Sequence, residues 1–419
     1  MSTLITEKPR VADFVSIVEK ELAATPIIDI HTHLFQPALG ALGLWGIDEL
    51  ITYHYLESEL FRSSKITPEK YFAMSKREKA DTIWKALFID NTPVSEAARG
   101  VIAVLDAFGL PVDDLDEARK FFAAQKIDRH IDQVLKLSGV SEVVMTNDPL
   151  DPEEAPLWQA GIERDPRFHP VLRLDRVINK WDWQGMAEQG YQVDAQAAGK
   201  SIDEARRFLA GWTRRIKPVY MAVSLPDTFR FPEDSLRAKL IERAVLPVCR
   251  EFDLPFSLMI GVRYQVNPRL RLAGDAVGVA DLRSVERLCA DFPENRYLIS
   301  VLSRENQHEL CVYARKFANL MPFGCWWFLN NPSIVEEITR ERLEMLGTSF
   351  IPQHSDARVL EQTIYKWKNT RRTIAPILAR SYELLASDGR VVTREEIRRD
   401  IDRLFRANYQ RWIKLEKQP

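Results

Sequence analysis

The sequence predicts an α/β fold arranged as a (β/α)8 barrel, and three observations predict it. Eight apolar runs of strand length recur along the chain, several of them rich in β-branched residues. They are apolar throughout and do not alternate, the pattern of strands buried on both faces of a parallel sheet. Helical patterns separate most of them, and eight strands with intervening helices are the parts of such a barrel. A chain of 419 residues, 46% of them hydrophobic, can bury a core of this size, and it is read as one domain over residues 1–419.

The first run is IIDI from Ile27 and the second EVVMT from Glu142. Residues 34–137 between them read as helices, in SKREKADTIWKALF, SEAARGVIAVLDAF and DEARKFFAAQ, and are predicted to form a helical cap over one end of the barrel. The third run, FHPVLRL from Phe168, precedes a second helical insertion at about residues 177–216. VYMAVSL from Val219, PFSLMIG from Pro255, RYLISVL from Arg296, LMPFGCWWF from Leu320 and GTSFIPQ from Gly347 complete the set. A helix then closes the chain. Thr393 and Glu396 have the capping-box spacing, and Ile397, Ile401, Leu404, Phe405 and Trp412 recur at helical intervals. The sequence shows no internal repeat and no low-complexity linker.

Charge and cysteine usage narrow the function classes. Lys plus Arg is 58 against 60 for Asp plus Glu, so no basic field points to nucleic acid or to an anionic membrane. The opening MSTLITEKPRVADF lacks an apolar signal core, and no stretch approaches the ~18 to 20 apolar residues of a membrane span. Cys249, Cys289, Cys311 and Cys325 form no C-x-x-C pair. They read as small buried apolar residues with reduced thiols, which fits a cytoplasmic protein. The oligomeric state is left open, a homo-oligomer included.

In such a barrel, catalytic groups gather at the C-terminal ends of the strands. The first run ends in Asp29, His31 and His33. Residues i and i+2 of an extended chain point the same way, so His31 and His33 can aim both rings at one point and form half a metal site. The alternative is one histidine capping a loop and one packed in the core. Further ends offer Asn147 and Asp148, then Arg173 and Asp175, then SREN from Ser303, Trp326 with Trp327, and QHSDAR with His354, Asp356 and Arg358. Asp356 is the natural third ligand, because the eighth strand of a closed barrel lies beside the first. The fourth, fifth and sixth ends, SLPD, MIGVR and LSREN, supply no further ligand of the type that two-metal hydrolases need. A two-metal deaminase or amidase is therefore disfavoured.

The H-T-H opening, TYHYLESE, LRLD, SRENQHEL, FGCWWFLNNP and IPQHSDARVLEQ together resemble uronate isomerase of the amidohydrolase superfamily, in its shorter bacterial form, over nearly the whole chain. The resemblance implies interconversion of D-glucuronate with D-fructuronate and of D-galacturonate with D-tagaturonate. It also implies a distorted barrel, one zinc-type divalent ion on His31, His33 and Asp356, and active-site roles for His54, Tyr55, Arg173 and Arg358. One departure is visible. Widespread members carry T-D-S-R on the eighth strand, where this chain has Ser355-Asp356-Ala357-Arg358, so the Asp and Arg are kept.

The chemistry can also be argued from the residues. An aldose-to-ketose isomerase removes a proton from C2 and delivers one to C1 through an enediol, which needs a base, a donor and a charge for the enediolate. Asp356 is the expected base, Tyr55 the donor or relay, and Arg358 the permanent positive charge. His54 and Tyr55 reach the site only if the cap folds over it, and otherwise form an ordinary helix face in IDELITYHYLESELF. Arg173 suits the substrate carboxylate through two parallel hydrogen bonds, its alternative being an internal ion pair with Asp175 or Asp148. Arg304 is a further candidate for sugar contact. Trp326 and Trp327 are candidates to pack on a sugar face, and adjacent strand residues point opposite ways, so only one of them is expected to face the site. Two other classes stand behind the isomerase: a mononuclear metal hydrolase or decarboxylase acting on a sugar acid, and a barrel that binds sugar acids without turnover.

Overall fold

The structure is a computed structural model that describes residues 11–414. Residues 1–10, which hold most of the opening stretch discussed above, and residues 415–419 lie outside the described residues. Among the described residues nine strands form: β1 (Ile27–Asp29), β2 (Val140–Val144), β3 (Phe168–His169), β4 (Leu172–Arg173), β5 (Met221–Pro226), β6 (Phe256–Arg263), β7 (Ala276–Val277), β8 (Tyr297–Val301) and β9 (Leu320–Pro322). β1, β2 and β3 make one parallel sheet. β4, β5, β6, β8 and β9 follow one another in a second, also parallel, with β7 antiparallel on β6.

Three further links join these sheets. Asn147 bridges Leu172 between the end of β2 and β4, and Phe323 bridges Ile351 between β9 and the eighth apolar run. Asp356 N–H donates to His31 O at 3.2 Å, and His33 N–H to Ala357 O at 2.7 Å, so the segment after the eighth run lies along the end of β1.

Burial on both faces explains why the strands read as continuous apolar runs. Ile28, Val144, Ala222, Met259, Leu298 and Met321, from β1, β2, β5, β6, β8 and β9, share one small buried cluster. Their neighbours Ile27, Val143, Val223, Leu258 and Ile299 face the large core between sheet and helices. Alternate side chains thus enter different apolar layers.

Local chemistry departs from the sequence expectation at several runs. The third breaks into β3 and β4 at Pro170, which has no N–H to give a ladder. The seventh is strand only to Pro322, because Gly324 (φ +66°) and Trp327 (φ +48°) turn the backbone out of the extended region. The eighth contributes a single bridge. β7 had no counterpart among the predicted runs.

Helices fill the chain between β1 and β2, from Ile47–Ile51 and His54–Ser63 to Ile127–Ser138, and Asp175–Lys180, Trp183–Glu188 and Ser201–Ile216 lie between β4 and β5. Near the C-terminus the Thr393–Glu396 capping box is formed in full, with Thr393 accepting from Glu396 N–H and the Glu396 carboxylate from Thr393 N–H. Among the described residues no helix is long and apolar enough to cross a membrane.

Candidate active site

A cavity of about 300 Å³ opens where the ends of β1, β4, β5 and β6 meet the connecting loops. His31, His33, Asp356, Arg358, Arg173 and His54 all line it. His31 and His33 sit just past β1, two residues apart, and both turn Nε2 toward one carboxylate oxygen. His31 Nε2 lies 3.7 Å and His33 Nε2 3.4 Å from Asp356 Oδ1. Ligand atoms of these three residues all fall within 4.8 Å of one another, the spacing of a metal cluster.

Electrostatics fit a cation there. Burial pushes the basicity of His31 down to about 3 and that of His33 well below the usual histidine range, so both rings are neutral at neutral pH. Neutral imidazole is the metal-binding form. Asp356 Oδ1 is buried and accepts no hydrogen bond. An orphaned carboxylate oxygen facing two neutral imidazoles is costly in an empty site and well matched to a divalent ion.

Backbone geometry aims Asp356. It adopts φ +53°, a left-handed conformation uncommon outside glycine and tolerated by aspartate. Its neighbour Ser355 donates its N–H to Asp29 Oδ1 at 3.0 Å, and Asp29 Oδ2 accepts Trp367 Nε1–H at 2.8 Å. Asp29, one of the polar groups at the first strand end, thus supports the site from behind. Asn147 and Asp148 do the same for β2, with Asn147 Nδ2 and Asp148 N both donating to the buried Glu154.

Two guanidinium groups face the cavity in different states. Arg173 Nε donates to Asp175 Oδ2 at 3.0 Å, so the internal pair and the cavity position occur together. The Asp175 charge raises the already high basicity of Arg173. Arg358 forms no ion pair among the described residues and presents its charge to the same space as Asp356 and His33.

The region after β1 brings a tyrosine pair to the site. Tyr53 lines the cavity with His54, and Tyr55 packs against Tyr53. The helix Ile47–Ile51 stops before Tyr53, and a new helix starts at His54, so the segment is not one continuous helix face. Tyr55 lies behind, its ring 4.9 Å from that of Tyr53 and 5.5 Å from Lys366 Nζ. His54 is held neutral, its basicity lowered by burial to about 3, and its Nε2 has no hydrogen-bond partner.

Trp326 and Trp327 both line the cavity, against the expectation that one would turn away. That expectation assumed a strand, and the left-handed φ of Trp327 replaces strand alternation with a tight turn. Arg304 lies outside the cavity. Its side chain is 59% exposed and donates to Glu337 at 2.9 Å, and neighbouring His308 pairs with Glu341 at 2.6 Å. Sequence reading also missed Thr146, Tyr264 and Asp275 in the lining. Thr146 stands beside the recognised Asn147, whereas Tyr264 and Asp275 sit on the β6–β7 connection, where no pattern marks them.

No protein-family model matches the chain, and no curated protein matches it. Solved structures do. A uronate isomerase from Bacillus halodurans superposes with a TM-score of 0.95 at 49% identity, covering 97% of this chain and 97% of that one. A uronate isomerase from Thermotoga maritima gives 0.77 at 16% identity, covering 96% of this chain and 97% of that one. A glucuronate isomerase from Caulobacter crescentus gives 0.76 at 15% identity, covering 100% and 97% respectively. These last two share the fold.

Proposed function

The chain belongs to the uronate isomerase family, and from that premise we propose that it interconverts D-glucuronate with D-fructuronate and D-galacturonate with D-tagaturonate by proton transfer through an enediol. The observation that carries this reading is the meeting of His31, His33, Asp356 and Arg358 with Arg173 in one cavity, on a chain 49% identical to a uronate isomerase throughout its length. The hydrolase and binding-only readings have no observation in their favour.

The architecture we propose is a distorted (β/α)8 barrel. The bridges at Asn147 and Ile351 and the hydrogen bonds from Asp356 and His33 support closure of the ring between the eighth run and β1. The helical segment after β1 acts as a cap, a role supported by Tyr53 and His54 reaching the cavity from it.

His31, His33 and Asp356 would hold one divalent ion, which we take to be zinc. When bound it would supply positive charge at the substrate's reacting oxygens. Arg173 binds the substrate carboxylate, with Asp175 fixing the plane of its guanidinium. Asp356 takes the proton from C2 and returns it to C1. Arg358 holds the negative charge of the enediolate without losing its own proton. Tyr55 donates or relays the proton at the carbonyl oxygen, with Tyr53, its ring 4.9 Å away, in the cavity lining. His54, neutral and with an open Nε2, offers a hydrogen bond to a sugar hydroxyl. Trp326 and Trp327 close the apolar side.

The small polar substrate and the absence of a spanning helix among the described residues fit a cytoplasmic location, which we propose with it. Incubation with each uronate, followed by chromatography for the ketose, tests the function. Failure to convert either sugar acid in metal-replete protein would remove the reading.

A further inference from the structure

Each metal-facing histidine has a hydroxyl on its far side. Tyr220 Oη lies 3.3 Å from His31 Nδ1 and donates to Ile30 O at 2.7 Å. Thr146 Oγ1 lies 2.9 Å from His33 Nδ1 and donates to Thr32 O at 3.1 Å. In both cases the carbonyl belongs to the residue immediately before the histidine. One arrangement therefore occurs twice, with the hydroxyl supplied once from the end of β2 and once from the start of β5. Both hydroxyl residues are buried, Tyr220 fully.

A hydroxyl owns one hydrogen, and a carbonyl oxygen can only accept. With that hydrogen committed to the main chain, each hydroxyl can meet the imidazole only as an acceptor. The proton of each histidine then sits on Nδ1, and Nε2 keeps a bare lone pair. The other side of the rings agrees. Both Nε2 atoms face Asp356 Oδ1, yet that oxygen accepts no hydrogen bond. Two lone pairs and a carboxylate oxygen converge with no proton among them.

We propose that Tyr220 and Thr146 are positioning residues that fix the tautomers of His31 and His33, so that both Nε2 atoms are set as ligands before an ion arrives. This rests on the reading that His31, His33 and Asp356 hold a divalent ion. The partners of ligating histidines are usually carboxylates or main-chain carbonyls. Here a neutral hydroxyl does the same work because its own hydrogen is tied to the chain. It selects the tautomer without adding negative charge beside a ligand set that already contains Asp356.

The test uses full-length protein stripped by a chelator and titrated with Zn²⁺ against a chromophoric competitor. Thr146→Val and Tyr220→Phe are each expected to bind Zn²⁺ about 10- to 100-fold more weakly than the unaltered chain. Thr146→Ser, which keeps the hydroxyl, is expected to restore most of the affinity. Long-range ¹H–¹⁵N correlation on histidine-labelled, metal-free protein reads the tautomers directly, and His31 and His33 should both be protonated at Nδ1. Binding by both apolar variants as tight as that of the unaltered chain, or Nε2 protonation in the metal-free protein, would overturn the proposal. If Tyr220→Phe does not fold, the Thr146 pair and the correlation spectrum decide it. An unaltered chain that takes up no Zn²⁺ removes the metal reading and this inference with it, whereas normal uptake with unaffected variants removes only the role of the two hydroxyls.

Discussion

Asp29 and Ser355 stand at the ends of different strand segments, and the 3.0 Å hydrogen bond from Ser355 N–H to Asp29 Oδ1 ties them together one residue before Asp356. The same carboxylate accepts Trp367 Nε1–H, and Asp29 is fully buried. Replacing it by alanine leaves two buried donors without partners. Asp29→Ala is expected to cost about 2–6 kcal/mol, from about 1–3 kcal/mol for each unsatisfied group. Urea unfolding measures it, and a loss below about 0.5 kcal/mol, the scale of an ordinary surface substitution, would contradict the structural role.

The second expectation concerns metal content. With His31 Nε2 and His33 Nε2 both within reach of Asp356 Oδ1, the protein should retain about one divalent ion per chain. His31→Ala combined with His33→Ala should abolish retention. Elemental analysis of the dialysed proteins decides the matter, and undiminished metal in the double variant would place the ion elsewhere.

Much of this arrangement was legible in the sequence because side-chain type and strand order carry it. Each of the eight apolar runs contributes a strand or a bridge, and the H-x-H spacing after β1 with Asp356 after the eighth run marked three groups that converge. What could not be read depends on single backbone angles and on long connections. Trp327 turns with φ +48°, so the alternation argument for the tryptophan pair did not apply. A helix break at residues 52–53 separates Ile47–Ile51 from the helix starting at His54, and Tyr53 at that break joins the cavity lining unmarked by any pattern. Arg304 follows β8, as a catalytic group would, yet the turn Arg304–Asn306 carries it outward to Glu337.

A third expectation is a pH-dependent stability from Glu154. Burial raises its carboxyl from an ordinary 4.5 to about 7, against the opposing effect of hydrogen bonds from Asn147, Asp148 and Trp158. The folded chain thus holds this proton more tightly than the unfolded chain. Stability from this group is present below about pH 4.5 and is lost as pH rises through 7. Relative to Glu154→Gln, the unaltered protein should lose up to about 3 kcal/mol between pH 5 and pH 8. Urea unfolding of both at several pH values checks this, and a constant difference would refute it.

Selectivity for the sugar acid provides a fourth. If Arg173 pairs with the C6 carboxylate, glucuronate should react far better than glucose, which lacks that charge. Arg173→Met should weaken uronate kcat/KM by about 2–5 kcal/mol, the range for removing one partner of a buried charge pair. Asp175, now without its partner, adds repulsion toward the substrate carboxylate. Steady-state kinetics on both sugars make the comparison. Equal turnover of glucose and glucuronate by the unaltered protein would exclude Arg173 as the carboxylate anchor.

The last prediction separates proton transfer from hydride transfer. A hydride shift between C2 and C1 needs no base, and the migrating hydrogen never meets solvent. This cavity instead brings together Asp356, with an unpartnered oxygen, the guanidinium of Arg358, which forms no ion pair among the described residues, and the phenol of Tyr53. A carboxylate that removes the C2 proton becomes a carboxylic acid, and its hydrogen can exchange with solvent before return to C1. In D2O the ketose should therefore gain deuterium at C1, and Asp356→Asn should lose at least the ~10²- to 10⁴-fold that a general base contributes. Fast internal return dilutes the label in a single turnover, so the decisive measurement is prolonged incubation near equilibrium, read by NMR at C1. Complete retention of protium after many turnovers would favour a hydride shift and leave Asp356 with metal binding as its role.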